Sequence, residues 1–286
     1  MSLSVLLIEA SERVMWLTPR VRAERDVGAP LARALRSAFE TQLRLFLKRF
    51  ASLKVLYESQ VVNPFALDKW VSFYESASAM DVNPLMDDAF EATNEAMVDA
   101  VQSAAEAALM AGGDMLIANI GAGFISFNLE YPAAQEYLAE YGARRVTQIN
   151  ETTRKRINKI VADAAERGDS WQKTARLISA EFEAMAGPPL RGAPSHIGSR
   201  AQLIAVTEVG EAFERGARGA ARELVLAGFA VEKKRIGPND KRTSDACKGD
   251  LAIEWIDLND TFPSGIMDGL HHPGCRHGTV YQRKVA

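Results

Sequence analysis

Cysteine is scarce in this chain, whose 286 residues include only 2. So few thiols argue against a secreted scaffold that is held together by disulfides. The apolar residues from Leu3 to Ile8 also lack the preceding basic segment that a signal peptide carries. Together these two absences predict a protein that is made and folded in a reducing cytoplasm.

A large excess of one charge sign is also missing. The chain has 34 Lys and Arg residues against 37 Asp and Glu residues, and its formal net charge is −3. We therefore expect no whole-protein attraction to DNA or to an anionic membrane, so any contact with nucleic acid has to be local. Hydrophobic residues make up 47% of the chain, which is enough to fill a sizeable core and argues against general disorder.

A long apolar run is absent as well. The most membrane-like stretch, Met115 to Leu129, is too short for a typical transmembrane helix and contains Asn119 and Asn128. Glycines at positions 112, 113, 121 and 123 weaken it further as a regular helix. We expect irregular structure here that is buried or faces a partner, with a membrane-active segment as the alternative. No stable membrane association is expected.

Apolar residues that recur every three or four positions predict long amphipathic helices before residue 187. The first helix carries an apolar stripe of Leu31, Leu35, Phe39, Leu43, Phe46, Phe50 and Leu53. Further helices are predicted at residues 87–110, around 146–164 and at 171–186. Residues 187–198 are rich in Gly, Pro and Ser, and they predict a linker.

The third of these helices carries basic residues on its polar face. They are Arg144, Arg145, Arg154, Lys155, Arg156 and Lys159. Such a run is able to follow a phosphate backbone or an acidic partner surface. Glu151, Asp163 and Glu166 dilute its charge, and an ordinary solvated helix face is the simpler interpretation. The six residues remain candidate phosphate or partner contacts.

The chain changes character after the linker. A helix is predicted from Ala201 to Leu226 with Gly228 as its cap, and strands are predicted at residues 229–236, 251–258 and 278–282. The sequence therefore predicts an α+β protein. Its mainly α-helical N-terminal region covers residues 1–186, the linker covers 187–198, and a small α+β domain with a Cys/His cluster covers 199–286.

Metal-binding side chains are concentrated at the end of this domain, which holds both cysteines and three of the four histidines. Thiolate and imidazole are ligands that a tetrahedral zinc ion prefers. Cys275 and His277 point to the same side of an extended segment, and a turn at Pro273-Gly274 is able to bring His272 to them. With Cys247 as the distant ligand, the predicted structural zinc site is Cys247, His272, Cys275 and His277. His271 is left over.

Two other interpretations of these residues remain open from the sequence. In the first, Cys247 is a buried apolar thiol, and the histidines hydrogen-bond the backbone of a loop-rich subdomain. In the second, Cys247 and Cys275 form a disulfide, which depends on the redox compartment.

Several short motifs surround the cysteines in a fixed order. The chain reads Arg242-Thr243-Ser244-Asp245-Ala246-Cys247, then Phe262-Pro263-Ser264-Gly265, then His272-Pro273-Gly274-Cys275-Arg276. Upstream lie Tyr141-Gly142, Arg167-Gly168-Asp169-Ser170-Trp171 and Ile204-Ala205-Val206-Thr207-Glu208-Val209. From about residue 135 to 282, this order resembles the phage Mu F-like minor head proteins, also called phage head morphogenesis proteins.

The resemblance implies a low-copy structural component of a virion that acts in head assembly, genome packaging or DNA delivery. The portal protein, a major capsid or scaffolding protein and packaged double-stranded DNA are the expected partners. The expected location is the capsid interior or the portal vertex, after assembly in the host cytoplasm. The stripe with Phe39, Phe46 and Phe50 is the expected attachment surface wherever the chain's own core leaves it uncovered.

Two positions depart from the family pattern. Val206 stands where the family usually has arginine before the Thr-Glu pair, and His277 stands where the family commonly has a second cysteine. An exchange of cysteine for histidine keeps a zinc ligand and abolishes a disulfide. The second departure therefore favours a metal over a disulfide.

An enzyme and a DNA-binding module are the alternative classes. A metal-dependent nuclease or transferase would use the Cys/His residues, with Glu208, Asp245 and His271 as further candidates. Their spacing matches no catalytic motif, and we predict no catalytic residues and no catalytic activity. For a DNA-binding module the basic residues are neither numerous nor clustered enough.

Overall fold

The computed structural model describes residues 18–60, 82–122, 125–167, 169, 171–186 and 199–284. After a helical segment at residues 18–26, these residues form helices α1 (Gly28–Gln60), α2 (Asn83–Ile120), α3 (Pro132–Glu166), α4 (Trp171–Ala186), α5 (Arg200–Leu226) and α6 (Asp245–Leu251). Each long helix that the apolar period predicts is present. The predicted linker at residues 187–198 lies outside the described part of the chain.

A small antiparallel sheet follows α5. Its strands are β1 (Val231–Ile236), β2 (Ile256–Asp257) and β3 (Gly278–Arg283), in the order β2-β1-β3. Six cross-strand pairs join β1 to β3, from Val231 opposite Arg283 to Ile236 opposite Gly278. Long helices followed by a small sheet confirm the predicted α+β class.

The second predicted strand is mostly wrong. Residues 251–258 were expected to be extended, but only Ile256 and Asp257 pair with β1. The reason is that α6 uses the backbone groups just before them. The N–H of Ala252 donates to Lys248 O, and the N–H of Ile253 donates to Asp250 O, both at 3.2 Å. These two N–H groups close the last turn of the helix, so they are not available for hydrogen bonds to a neighbouring strand.

The chain divides into two compact units that do not follow sequence order. We call them the cluster unit (Met1–Ala32, Val101–Tyr141 and Gln202–Ala286) and the helical unit (Arg33–Ala100 and Gly142–Ala201). The predicted C-terminal domain thus shares its compact unit with segments from earlier in the chain.

The predicted apolar stripe of α1 forms core in the helical unit. Leu35, Phe39, Phe46 and Phe50 are buried, and the rings of Phe46 and Phe50 stack with their centroids 5.5 Å apart. The side chain of Leu53 lies outside the described residues. Because the chain itself covers the three phenylalanine rings, they are not exposed for attachment to another protein.

A buried polar contact joins three helices within the helical unit. The side-chain amide of Gln42 donates hydrogen bonds to Thr93 Oγ1 at 2.8 Å and to Asn150 Oδ1 at 3.3 Å. All three residues are buried. Buried polar groups need their partners, so this contact favours one alignment of α1, α2 and α3.

Two helices of the cluster unit approach each other through glycine. A Cβ atom on Gly112 of α2 would lie 1.9 Å from the carbonyl oxygen of Phe213, and one on Gly216 of α5 would lie 1.9 Å from that of Leu109. The expectation of irregular structure from Met115 onward is therefore wrong as far as Ile120, because α2 continues through its glycines. Packing against α5 outweighs their low helix propensity.

Irregular structure does follow α2. Residues 121–122 and 125–131 have no helix or strand assignment, and residues 123–124 lie outside the described part. Phe127 in this segment is buried, and a Cβ on Gly113 would lie 2.2 Å from its ring. Glycine at position 113 thus leaves the space that the Phe127 ring fills.

Candidate metal centre

Cys247 is presented by the short helix α6. The hydroxyl of Ser244 caps this helix by accepting a hydrogen bond from the backbone N–H of Cys247 at 3.3 Å. Such a cap satisfies one of the donors that the first turn of a helix leaves free. It also fixes the turn from which the buried Cys247 side chain projects.

Cys275 and His277 come from the segment that leads into β3. A turn closed by the hydrogen bond from Cys275 N to His272 O at 3.0 Å comes first, with Gly274 at a φ of 69°. Side chains then alternate, so that Cys275 and His277 are buried while Arg276 faces outward. Arg276 donates two hydrogen bonds to Asp240, at 2.8 and 2.6 Å, and holds the pKa of that carboxyl well below its usual range.

The structure brings three of the four predicted ligands together in what we call the Cys/His cluster (Cys247, Cys275 and His277). The two sulfurs are 3.9 Å apart, and Cys275 Sγ lies 3.5 Å from His277 Nδ1. One ligand atom from each residue lies within 4.8 Å of those of the other two. The residues are 0%, 1% and 2% exposed, respectively, and both cysteines are free thiols.

The backbone determines which nitrogen of His277 is available. His277 Nε2 lies 2.7 Å from the carbonyl oxygen of Pro238. A carbonyl only accepts hydrogen bonds, so Nε2 carries a proton. In the neutral ring Nδ1 then offers its lone pair to a metal, whereas in the protonated ring Nδ1 donates a hydrogen bond to the Cys275 sulfur. Gly237 makes room for this arrangement, because a Cβ there would lie 2.4 Å from the His277 ring. A carbonyl on the remote nitrogen is a common partner of metal-binding histidine.

The two thiols differ in their electrostatic surroundings. Burial alone would raise the pKa of Cys275, but hydrogen bonds from the His277 ring and from the backbone N–H groups of His277 and His271, together with the charge of Arg235, lower it to about 5. Burial and the neighbouring Cys275 raise the pKa of Cys247. The thiolate is the form that binds a metal, so Cys275 is the better prepared of the two ligands.

The remaining two histidines of the segment lie elsewhere. His272 is exposed, and its Nδ1 lies 3.1 Å from Pro273 O, so the turn does not bring it into the Cys/His cluster. The turn uses the carbonyl of His272 to bond Cys275, which leaves the ring on the outside. His271 Nε2 lies 2.7 Å from the fully buried Asp250 Oδ2. Asp250 also accepts hydrogen bonds from Ser264 N and Oγ.

Sequence reasoning missed Arg20, which belongs to the helical segment at residues 18–26. Its guanidinium donates hydrogen bonds to His277 O at 2.6 Å and to Cys275 O at 2.8 Å. It holds the backbone of two cluster residues from more than 250 positions away in the chain. No local pattern in the sequence marks an arginine for such a contact.

The predicted basic run of α3 is mostly paired within the helical unit. Arg154 contacts Asp87 at 2.5 Å and Arg156 contacts Glu181 at 2.7 Å. Further contacts join Lys155 to Glu151, Lys159 to Asp163 and Arg145 to Gln148, and Arg144 is exposed. This pairing lowers the charge that the run offers to a phosphate backbone, and it favours the interpretation as a solvated helix face.

The candidate catalytic residues contact different partners. Tyr141 Oη donates a short hydrogen bond to Glu208 Oε2, and both residues are buried. Asp245 is exposed and contacts Lys248 at 3.0 Å, whereas His271 contacts Asp250. Burial, reinforced by Glu211, raises the pKa of Glu208 to about 8.

The raised pKa of Glu208 predicts a pH dependence of stability. The folded protein keeps this proton up to about pH 8, whereas the unfolded chain releases it near 4.5, the ordinary pKa of a glutamate. The free energy of unfolding should therefore fall as pH rises between these values, by at most about 1.4 kcal/mol per pH unit for one proton. Glu208→Gln should make the slope shallower in denaturant titrations from pH 5 to 8. Glu95→Gln, on the exposed face of α2, should leave it unchanged.

An unchanged slope in Glu208→Gln would contradict this assignment. Some slope should remain, because burial also raises the pKa of Glu214 to about 7, against the lowering effects of Arg20 and Arg235. Its contribution to stability has the same sign.

Comparisons of the chain with protein-family models, with curated proteins and with solved structures found no match. Within the described ranges, no helix combines the length and the apolarity that crossing a membrane requires.

Proposed function

We propose that the Cys/His cluster binds one zinc ion as a structural centre. When bound, the metal would tie α6 to the segment before β3 through two thiolates and one imidazole. Two sulfur ligands of a tetrahedral zinc ion are separated by about 3.8 Å, and a sulfur and a nitrogen ligand by about 3.6 Å. The corresponding distances of 3.9 and 3.5 Å are the observation that carries this proposal.

Burial of the ligands favours a structural over a catalytic centre. Catalytic zinc sites keep an open position that substrate reaches, whereas structural sites are closed. Residues that are 0%, 1% and 2% exposed leave little access for a substrate. The fourth position would be filled by water or by His272, whose exposed ring would have to turn inward.

We propose further that the protein is a phage minor head protein, as its signature motifs imply. The three C-terminal motifs, within residues 242–276, meet in one region of the cluster unit. Asp250 joins the Phe262–Gly265 motif, through Ser264, to His271, and Cys247 faces Cys275 across 3.9 Å. Phe262 of the same motif is buried. The signature thus supplies internal contacts of one module, which supports a structural role.

The test of the head-protein proposal is the composition of purified particles. Quantitative mass spectrometry should find this chain at a low, fixed ratio to the portal protein. Particles that lack the chain would overturn the proposal, and so would a copy number that varies with expression level. To locate the attachment surface, exposed residues should be substituted. Deleting Leu31–Leu53 would not serve, because removing a buried stripe would unfold the helical unit.

We expect no turnover from the chain itself. Nuclease and ADP-ribosyl transfer assays with added divalent metals should remain at background, because the candidate polar groups make separate structural contacts. The controls are Glu208→Ala and His271→Ala. Activity that either substitution abolishes would favour the metal-dependent enzyme instead.

A further inference from the structure

The Arg20 side chain lies inside the cluster unit, with all three of its nitrogens occupied. Nη1 and Nη2 donate to the carbonyls of His277 and Cys275, and Nε donates to Glu24 Oε1 at 2.9 Å. Glu214 Oε1 lies 3.6 Å from Nη1. The residue is only 2% exposed. A guanidinium that is buried and paired in this way is held in one orientation.

Helix α5 is shaped to receive this guanidinium. A Cβ on Gly210 would lie 2.9 Å from Arg20 Nη2 and 3.2 Å from Leu270 Cδ1. Glycine at position 210 therefore leaves the space in which Arg20 reaches the two carbonyls. An alanine there would press on the end of the Arg20 side chain.

The two carbonyls belong to residues that are also predicted metal ligands. Fixing both of them fixes the peptide planes that directly follow Cys275 and His277, and with these the directions in which Cys275 Sγ and His277 Nδ1 project. The planar fork of arginine presents donors to two acceptors in a fixed geometry, whereas lysine has a single donor nitrogen on a flexible stem. In many proteins, groups that orient the metal ligands without binding the metal themselves influence metal affinity.

We infer that Arg20 is a positioning residue of the Cys/His cluster, and that metal binding at the cluster in turn holds residues 18–26 against it. The inference rests on the proposed zinc centre. The coupling has to act in both directions, because linked binding free energies are reciprocal. Docking of residues 18–26 against the cluster, which we call the latch, therefore depends on the bound metal.

Three variants of the full chain test the positioning role. Arg20→Gln removes the fork and the charge, Arg20→Lys keeps the charge, and Gly210→Ala crowds the guanidinium. Each should weaken zinc binding about 10-fold or more in chelator competition, with about one zinc per chain still reached at saturation. The Co²⁺-substituted variants should show shifted ligand-field absorption, which a loss of general stability would not produce. Arg25→Gln, an exposed neighbour that pairs with Asp26, should match the wild type.

Hydrogen exchange tests the other direction of the coupling. Adding zinc to the wild type should slow amide exchange in residues 18–26, and Arg20→Gln should remove this protection. Wild-type affinity and an unshifted Co²⁺ spectrum in Arg20→Lys and Gly210→Ala would overturn the inference and leave the zinc centre intact. A wild type that binds no zinc would overturn the zinc centre and the latch together. If Arg20→Gln fails to fold, the other two variants decide.

Discussion

Cys275→Ala is expected to abolish zinc binding and to unfold the region around the cluster. Cys275 has the lowered pKa and lies within 4 Å of both other cluster residues, so its loss removes the central ligand and leaves only two. Elemental analysis should find about one zinc per wild-type chain and less than about 0.2 in the variant. Amides of α6 and β3 should lose protection from exchange, while those of α3 in the helical unit should keep it.

His272→Ala is the matched control for this prediction. It removes a potential ligand from the same turn, but the ring is exposed and lies outside the Cys/His cluster. The variant should keep about one zinc per chain, with water in the fourth position. Equal losses in both variants would show that His272 is the fourth ligand, as the sequence predicts. A wild type with less than about 0.2 zinc and an intact fold would contradict the metal centre.

Gly112→Ala should strongly destabilise the cluster unit. The new methyl would lie 1.9 Å from the carbonyl oxygen of Phe213, and backbone does not give way as a flexible side chain does. Overpacking of this kind costs about 1–3 kcal/mol or more, and the separation of α2 and α5 it requires would disturb their other contacts. Gly216→Ala should behave similarly. Denaturant unfolding followed by circular dichroism measures both effects.

Gly249→Ala gives the opposite sign. Gly249 also lies in a helix, α6, but a Cβ there would meet nothing within 4 Å, and its φ is not positive. Without a clash, the better helix propensity of alanine should stabilise the protein by about 0.5–1 kcal/mol. Destabilisation of the same size at all three positions would show that the close crossing of α2 and α5 is not what constrains Gly112 and Gly216.

The elements with a strong local signal could be predicted from the sequence. The three- and four-residue spacing of the apolar positions predicted the long helices, and alternation of apolar and polar residues predicted β1. The same alternation placed Cys275 and His277 on one side of their segment. The cap at Gly228 was also readable, and the structure shows it at a φ of 89° with Phe229 N bonded to Leu224 O.

The elements that depend on distant residues could not be predicted. Glycines 112 and 113 suggest a broken helix until α5 and Phe127 are known to occupy the space beside them. His272 matches the spacing of a ligand, but the bond from Cys275 N to its carbonyl leaves the ring outside. Arg20 could not be assigned a role, because its partners lie 255 and 257 residues away. Each of these outcomes is decided by tertiary packing rather than by local sequence.

The separation of Arg20 from Cys275 also sets a delay during synthesis. A ribosome that adds about 5–20 residues per second needs about 13–50 s to cover the 255 positions between them. Throughout that interval Cys275 and His277, whose carbonyls bind Arg20 of the segment at residues 18–26, have not yet been added. The helical unit, complete by Ala201, has its whole sequence available earlier. The order of translation therefore allows the helical unit to fold before the cluster unit, although the cluster unit contains the earlier residues.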